Sequence, residues 1–215
     1  MLNAKVTTLF FNNAVVELID ISDLRWTKEL QVLLLNDMRN ERRIKILSYR
    51  DDADKLRSAI WEYYVRQHYN ISQESSLPQI LRDKYGKPYI IGSKDYFNVS
   101  HSGKYVAIAY SNYPIGIDIE RQRKWITKSI AKEICSKSEL FDLKNTPNFS
   151  EHFIKLWVLK ESYLKATGLG FLSDEPIPSF HVIGTEVYSN VNKASFILEE
   201  VENYFMSICV LNSVS

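Results

Sequence analysis

Only two cysteines, Cys135 and Cys209, occur in the 215 residues of this chain. Two are too few for a disulfide framework or a cysteine-built zinc site, and the count fits a reducing cytoplasm. Long apolar runs are also missing: none approaches the roughly 18 residues a membrane span needs. The start, Met1-Leu2-Asn3-Ala4-Lys5-Val6, lacks the charged-then-apolar order of a signal peptide. A cytoplasmic chain with no membrane partner is therefore expected. Charge of one sign is scarce too. The 27 Lys/Arg and 26 Asp/Glu leave a formal net charge of +1, which argues against nucleic acid or anionic lipid as a partner. Low-complexity segments and clear internal repeats are absent.

What is present is ordinary soluble material with a core: 45% hydrophobic and 25% charged residues. The length suits one large domain or two small ones. Charge is unevenly spread. Residues 1–112 carry 16 Lys/Arg against 13 Asp/Glu, and residues 113–215 carry 11 against 13. Anion-binding groups are in excess in the first part and metal-binding groups in the second.

One stretch organises the rest, Pro114-Ile115-Gly116-Ile117-Asp118-Ile119-Glu120. It has the alternation of a buried strand, in which positions i and i+2 share a face. Asp118 and Glu120 therefore point the same way. Two carboxylates held close and partly desolvated need something positive between them. A hard divalent cation such as Mg²⁺ is the natural candidate. The plain alternative is a strand end entering solvent, with Glu120 paired to Arg121 or Arg123.

Before that strand, residues 5–19 read as two strands around an Asn12-Asn13 turn. A helix is expected from Ser22, with Leu30, Leu33, Leu34 and Met38 as its stripe. A basic run, Arg39 to Arg50, has five cations and one acid in twelve residues. It is either a solvated face or a phosphate-binding edge. Asp51 to Tyr69 is expected to be a second helix, and Ile71 to Pro78 a polar loop. Gly86-Lys87-Pro88 signals a turn. Tyr96 to Gly103 reads as a strand ending in a polar corner and Tyr105 to Tyr110 as another strand, so that a hairpin would bring Ser100 and His101 near the carboxylates.

Beyond the central strand, residues 127–144 and Ser150 to Thr167 are expected to be helical, the second capped by Ser150 and ended by Gly168 and Gly170. Strands follow at Phe180–Ile183, Ser195–Leu198 and Tyr204–Val210. In the long helix Glu161 and Lys165 are four apart and share a face. Lys160 lies about 100° round from Glu161. By itself this is an ordinary surface pair worth about 0.3–0.5 kcal/mol.

Together the elements say more. Gly116-Ile117-Asp118-Ile119-Glu120, followed by Trp157 with Lys160-Glu161-Ser162 and Lys165, resembles the paired signature of the 4′-phosphopantetheinyl transferases. Gly86-Lys87-Pro88 and Asn98-Val99-Ser100-His101-Ser102-Gly103 resemble two further motifs of the larger, surfactin-synthetase-activating type. The order and spacing of all four agree, and the likeness runs from about Arg42 to Gly170. Val158 departs from the small residue common there, a difference of packing rather than of reacting groups.

The resemblance implies an α+β fold of two similar halves with pseudo-twofold symmetry, residues 1–112 and 113–215, in a monomer. It implies transfer of the phosphopantetheine arm of coenzyme A to a serine of an apo-carrier protein (acyl, aryl or peptidyl), releasing 3′,5′-ADP. Asp118, Glu120 and Glu161 would hold Mg²⁺, with Mn²⁺ as the alternative. Glu161 would also be the general base, unless a water on the cation takes that part. Lys165 would assist the leaving phosphate and Lys160 contact the phosphates. Ser100 and His101 would meet the adenosine phosphates, His101 the 3′-phosphate. Gly86, Lys87 and Pro88 would line the adenine side. Arg57 would grip the 3′-phosphate, and Arg42 and Lys45 resemble further phosphate positions whose register is open by one residue. The carriers implied belong to non-ribosomal peptide, polyketide or fatty acid synthases, often in secondary metabolism. A Mg²⁺-dependent phosphodiesterase or nuclease, and a coenzyme A-binding relative without catalysis, are the rival readings.

Overall fold

The computed structural model describes residues 2, 4–71, 79–122, 128–170 and 177–212. In chain order its elements are β1 Lys5–Phe11, β2 Ala14–Asp20, α1 Lys28–Leu35, α2 Asn40–Leu47, α3 Asp52–His68, β3 Ile80–Arg82, β4 Pro88–Ile90, β5 Tyr96–Ser102, β6 Tyr105–Ser111 and β7 Ile115–Arg121. Then come α4 Lys128–Ile134, α5 Lys137–Asn145, α6 Phe149–Thr167, β8 Phe180–Ile183, β9 Glu186–Ser189, β10 Ala194–Val201 and β11 Tyr204–Leu211. The class is α+β. None of the described helices is long and apolar enough to cross a membrane.

Two antiparallel sheets form the middle, ordered β1-β2-β6-β5 and β10-β11-β7. Strand β6 is buried along its whole length, as a near-continuous apolar run demands. Val106, Ile108 and Tyr110 face the core beneath α1, α2 and α3. Tyr105, Ala107 and Ala109 face Ile115, Ile117 and Ile119 of β7 and Met206 and Ile208 of β11. On the far side of the second sheet, α6 packs Phe153, Leu156 and Leu159 against Phe205 and Leu198. Each part of the chain thus lays a long helix on an antiparallel sheet, and the sheets meet face to face.

Strand β7 pairs with β11 along one edge, Ser207 opposite Asp118. Its other edge is closed by side chains. The amides of Ile117, Ile119 and Arg121 donate to Asn98 Oδ1 at 3.0 Å, Ser100 Oγ at 3.3 Å and Ser102 Oγ at 3.2 Å. Alternate residues of β5 therefore satisfy alternate N–H groups of β7, as buried backbone donors require. The Asn-Val-Ser-His-Ser sequence is the seam that joins the two sheets.

Gly116 sets how close α6 comes to β7. A Cβ there would collide with the Ser162 carbonyl and the Ala166 amide and lie 2.9 Å from the Lys165 carbonyl carbon. Gly116→Ala is expected to push α6 outward and to cost about 1–3 kcal/mol, the usual range for overpacking. A chemical-denaturation midpoint equal to that of the wild type would refute this close packing.

Several expected boundaries shift. Helix α1 begins at Lys28, where Thr27 accepts from the Leu30 amide, because Ser22 is taken by a turn on Asp20. The basic run is itself helix α2, with Ile46 in the core. The expected 127–144 helix is two, α4 and α5. Ser136 breaks it by forming a capping box with Glu139. Asn148 rather than Ser150 caps α6. Residues 72–78 of the expected polar loop, and residue 127, lie outside the described residues.

Candidate active site

Gly116, Asp118 and Glu120 occupy the face of β7 opposite Ile115, Ile117 and Ile119. The glycine admits α6, and α6 brings Glu161 and Lys165 to the carboxylates. Asp118 is 4% exposed. Its Oδ1 accepts from Ser100 Oγ at 2.8 Å and from Lys165 Nζ at 2.7 Å. Glu120 Oε2 accepts from Ser102 Oγ at 3.0 Å. Burial pushes the Glu161 pKa up. The Lys165 charge pulls it back, and Asp118 and Glu120 push it up further.

Asp118 Oδ2 is buried without a hydrogen-bond partner. Leaving a carboxylate oxygen so placed is costly. An orphaned oxygen beside two further carboxylates fits the all-oxygen donor set a hard divalent cation takes. Among the described residues no three such side chains are already drawn into ligand spacing; Asp118 is paired to Lys165 instead.

Asp118, Glu120, Glu161 and Lys165 line one cavity of about 400 Å³. Arg42, Lys45, Ser100 and His101 stand in its walls. A second cavity, of about 270 Å³, shares Glu161 and Lys165 and continues past Gly86, Lys87 and Pro88. A cavity lined by both carboxylates and cations suits a ligand that carries several phosphates.

The model of the 4′-phosphopantetheinyl transferase superfamily matches residues 114–209. The transferase gsp of Aneurinibacillus migulanus is 33% identical over 193 residues, covering 84% of this chain and 79% of that protein. The chain belongs to the 4′-phosphopantetheinyl transferase superfamily. The transferase Sfp of Bacillus subtilis (strain 168) is 36% identical over 149 residues, which is 66% of this chain and 64% of that protein. A solved holo-[acyl-carrier-protein] synthase from Thermotoga maritima shows a partial likeness, with TM-score 0.40 and 20% identity over 47% of this chain and 64% of that one.

In this transferase most of the expected site residues fall into two groups, and Arg57 and Lys160 belong to neither. Asp118, Glu120, Glu161, Lys165, Ser100, His101, Arg42 and Lys45 share the main cavity, while Gly86, Lys87 and Pro88 line the adjoining one. Arg42 is held by Glu62 Oε2 at 2.6 Å and by Ser58 Oγ at 2.8 Å. The Ser100 hydroxyl is turned to Asp118 and the Ile119 amide, so it orients a carboxylate. His101 is exposed on β5, yet the protein around its ring, with the Arg57 and Lys165 charges, holds its pKa low.

Arg57 lines neither cavity; its charge reaches His101, and its guanidinium donates to the Gly103 carbonyl at 3.0 Å and pairs with Asp54. Lys160 is a correction. It is 1% exposed, bonded to Glu139 Oε1 at 2.9 Å and to the Pro178 carbonyl at 2.7 Å. The 100° step that aims Glu161 at the cavity aims Lys160 into the core. Lys87 also differs from expectation: its stem lines the cavity, but its ammonium is spent on backbone carbonyls.

Arg82 and Trp61 are cavity residues that the sequence reading missed. Arg82 lines both cavities. Its guanidinium lies 5.5 Å from the Trp61 ring centroid, and that of Arg42 lies 5.2 Å away. The available signal was a pair of basic residues, Arg82 and Lys84, ahead of the Gly-Lys-Pro turn.

Proposed function

We propose that this transferase moves the 4′-phosphopantetheine arm of coenzyme A to a serine of an apo-carrier protein, with residues 1–112 supplying most phosphate and adenine contacts and residues 113–215 the cation site and the reacting groups. The observation that carries the reading is one cavity lined by the carboxylates Asp118, Glu120 and Glu161 together with Arg42, Lys45, His101 and Lys165.

Asp118, Glu120 and Glu161 would hold the divalent cation, Mg²⁺ in our reading. When bound, it neutralises pyrophosphate charge and orients the reacting phosphate. Glu161 takes the proton of the carrier serine, directly or through a water. The serine oxygen bonds to the β-phosphorus as the bond to the 5′-phosphate of adenosine 3′,5′-bisphosphate breaks. Lys165, now on Asp118 Oδ1, turns to the departing phosphate and stabilises its charge. Ser100 and Ser102 hold the two strand carboxylates in place. The carrier is an acyl, aryl or peptidyl domain of a fatty acid, polyketide or peptide synthase, the setting secondary metabolism, and the enzyme a cytoplasmic monomer.

Intact-mass analysis of an apo-carrier protein incubated with the enzyme, coenzyme A and Mg²⁺, beside an EDTA control, tests this. A gain of one phosphopantetheine, absent with EDTA, is expected. No gain across acyl, aryl and peptidyl carriers would reject transfer. Coenzyme A binding in that case would favour a non-catalytic relative.

His101 gives a second test. Its lowered pKa leaves it neutral near pH 7 in the free enzyme, and a 3′-phosphate beside it would raise that pKa. Binding then takes up a proton, so affinity for coenzyme A rises as the pH falls through the histidine range. His101→Ala is expected to raise KM for coenzyme A about tenfold, the loss of one charged hydrogen bond. KM for dephospho-coenzyme A should hardly change. Equal effects on both would remove the 3′-phosphate role.

A further inference from the structure

The last four carbonyls of a helix have no partner within it. In α6 these belong to Leu164, Lys165, Ala166 and Thr167. Leu164 O accepts from the Gly168 amide at 2.9 Å, where Gly168 takes the left-handed conformation at φ 75°. Lys165 O and Ala166 O have a less usual partner. Lys87, at the end of the β3–β4 turn, places its Nζ 2.5 Å from Lys165 O and 3.1 Å from Ala166 O. The same nitrogen lies 3.3 Å from Ile115 O of β7. One ammonium with three donors thus meets three carbonyls, two on α6 and one on β7.

These carbonyls sit where α6 and β7 are closest, at Gly116, whose missing Cβ would strike Ser162 and Ala166. Lys165 carries one of them on its backbone and reaches Asp118 with its side chain. A cation at a helix C-terminus is also favoured by the helix dipole.

Resting on the transfer reading above, we infer that Lys87 is a positioning residue: its ammonium ties the last turn of α6 to β7 and so fixes Lys165 and Glu161 over Asp118 and Glu120. It acts on the reaction through the backbone and leaves the adenine side to Gly86, Pro88 and its own stem.

Burial lowers the Lys87 pKa to about 8, while Asp83 in the β3–β4 turn and Cys209 on β11 pull it the other way. From α6, Glu161 lines the same cavity and the Lys165 ammonium is directed to Asp118; from β7, Asp118 lies beyond that pair. As the pH rises through about 8, Lys87 loses its proton and with it the three-donor clamp. The folded protein then binds fewer protons than the unfolded chain, so stability rises with pH over the interval in which activity falls.

The test compares wild type, Lys87→Met and Lys87→Arg with coenzyme A, Mg²⁺ and an apo-carrier protein, measuring kcat, KM for coenzyme A and the melting temperature from pH 6 to 10. Wild type is expected to lose kcat with a midpoint near pH 8 without a parallel loss of melting temperature. Lys87→Met should lower kcat about 10- to 100-fold, the scale of a misplacement near 1 Å, with KM little changed. Lys87→Arg, which keeps its charge, should retain more activity at pH 7 and lose the alkaline limb. An alkaline limb unmoved in Lys87→Arg would overturn the inference, even if Lys87→Met fails to fold. Unchanged kcat in folded Lys87→Met, or an effect on KM alone, would overturn it as well. Absence of transfer by wild type would instead reject the underlying reading.

Discussion

Glu161→Gln is expected to lower transfer about 10³-fold, within the range general acid–base catalysis contributes, and yet to raise the melting temperature at neutral pH without divalent cations. The two effects share one origin. Burial, with Asp118 and Glu120 nearby, outweighs the pull of Lys165 and holds the Glu161 pKa above its ordinary value. A carboxyl whose pKa is raised in the fold favours the folded state at low pH, and that advantage is lost as the pH rises through the raised value. Above that raised value the ionised carboxylate is thus a net cost to the fold, one that the neutral amide removes. Mg²⁺ should reverse the order, raising the melting temperature of wild type more than that of the variant. Thermal melts in EDTA and in Mg²⁺, beside carrier mass analysis, separate the outcomes. Full activity in the variant would remove Glu161 from the chemistry. A lower melting temperature with an unchanged Mg²⁺ response would remove it from the carboxylate cluster.

The parts of this site that could be read from sequence are those set by short-range periodicity. Asp118 and Glu120 share a face because strands repeat every two residues, and Glu161 and Lys165 because helices nearly repeat every four. Those periods survive any packing, so the carboxylates and the lysine meet as expected. What the sequence hid depends on long-range partners. Asn98, Ser100 and Ser102 read as a polar corner, since nothing local says that a second strand brings its N–H groups to them. The basic run concealed α2 because the charges of Arg42 and Arg43 masked the one position, Ile46, that reaches the core. Strand β9, four residues that among the described strands pair with β8, is too short to have a pattern. The Gly-Lys-Pro turn was visible, but the carbonyls that its lysine gathers lie 28 to 79 residues away.

Lys160→Met is expected to cost about 3–5 kcal/mol, the loss typical when one partner of a buried ion pair is removed. The lysine and Glu139 are 1% and 0% exposed in their side chains. Glu139 would be left charged in the core, still accepting from the Ser136 and Phe180 amides. Glu139 is thus the joint that binds the start of α5 and the start of β8 to the middle of α6. Pairing Lys160→Met with Glu139→Gln keeps an acceptor oxygen for only one of those amides, which donate to different carboxylate oxygens, but it removes the stranded charge, so the double variant should recover part of the stability. Positive coupling of this kind would show that the pair acts as a unit. Kinetics decide between this role and the phosphate contact implied by resemblance. If Lys160 works from the core, folded Lys160→Met keeps its KM for coenzyme A. Its kcat falls only as far as α6 turns and carries Glu161 off its face. A raised KM with wild-type stability would return Lys160 to the phosphates. That outcome would require the side chain to leave Glu139 and the Pro178 carbonyl, both of which it now holds at hydrogen-bonding distance.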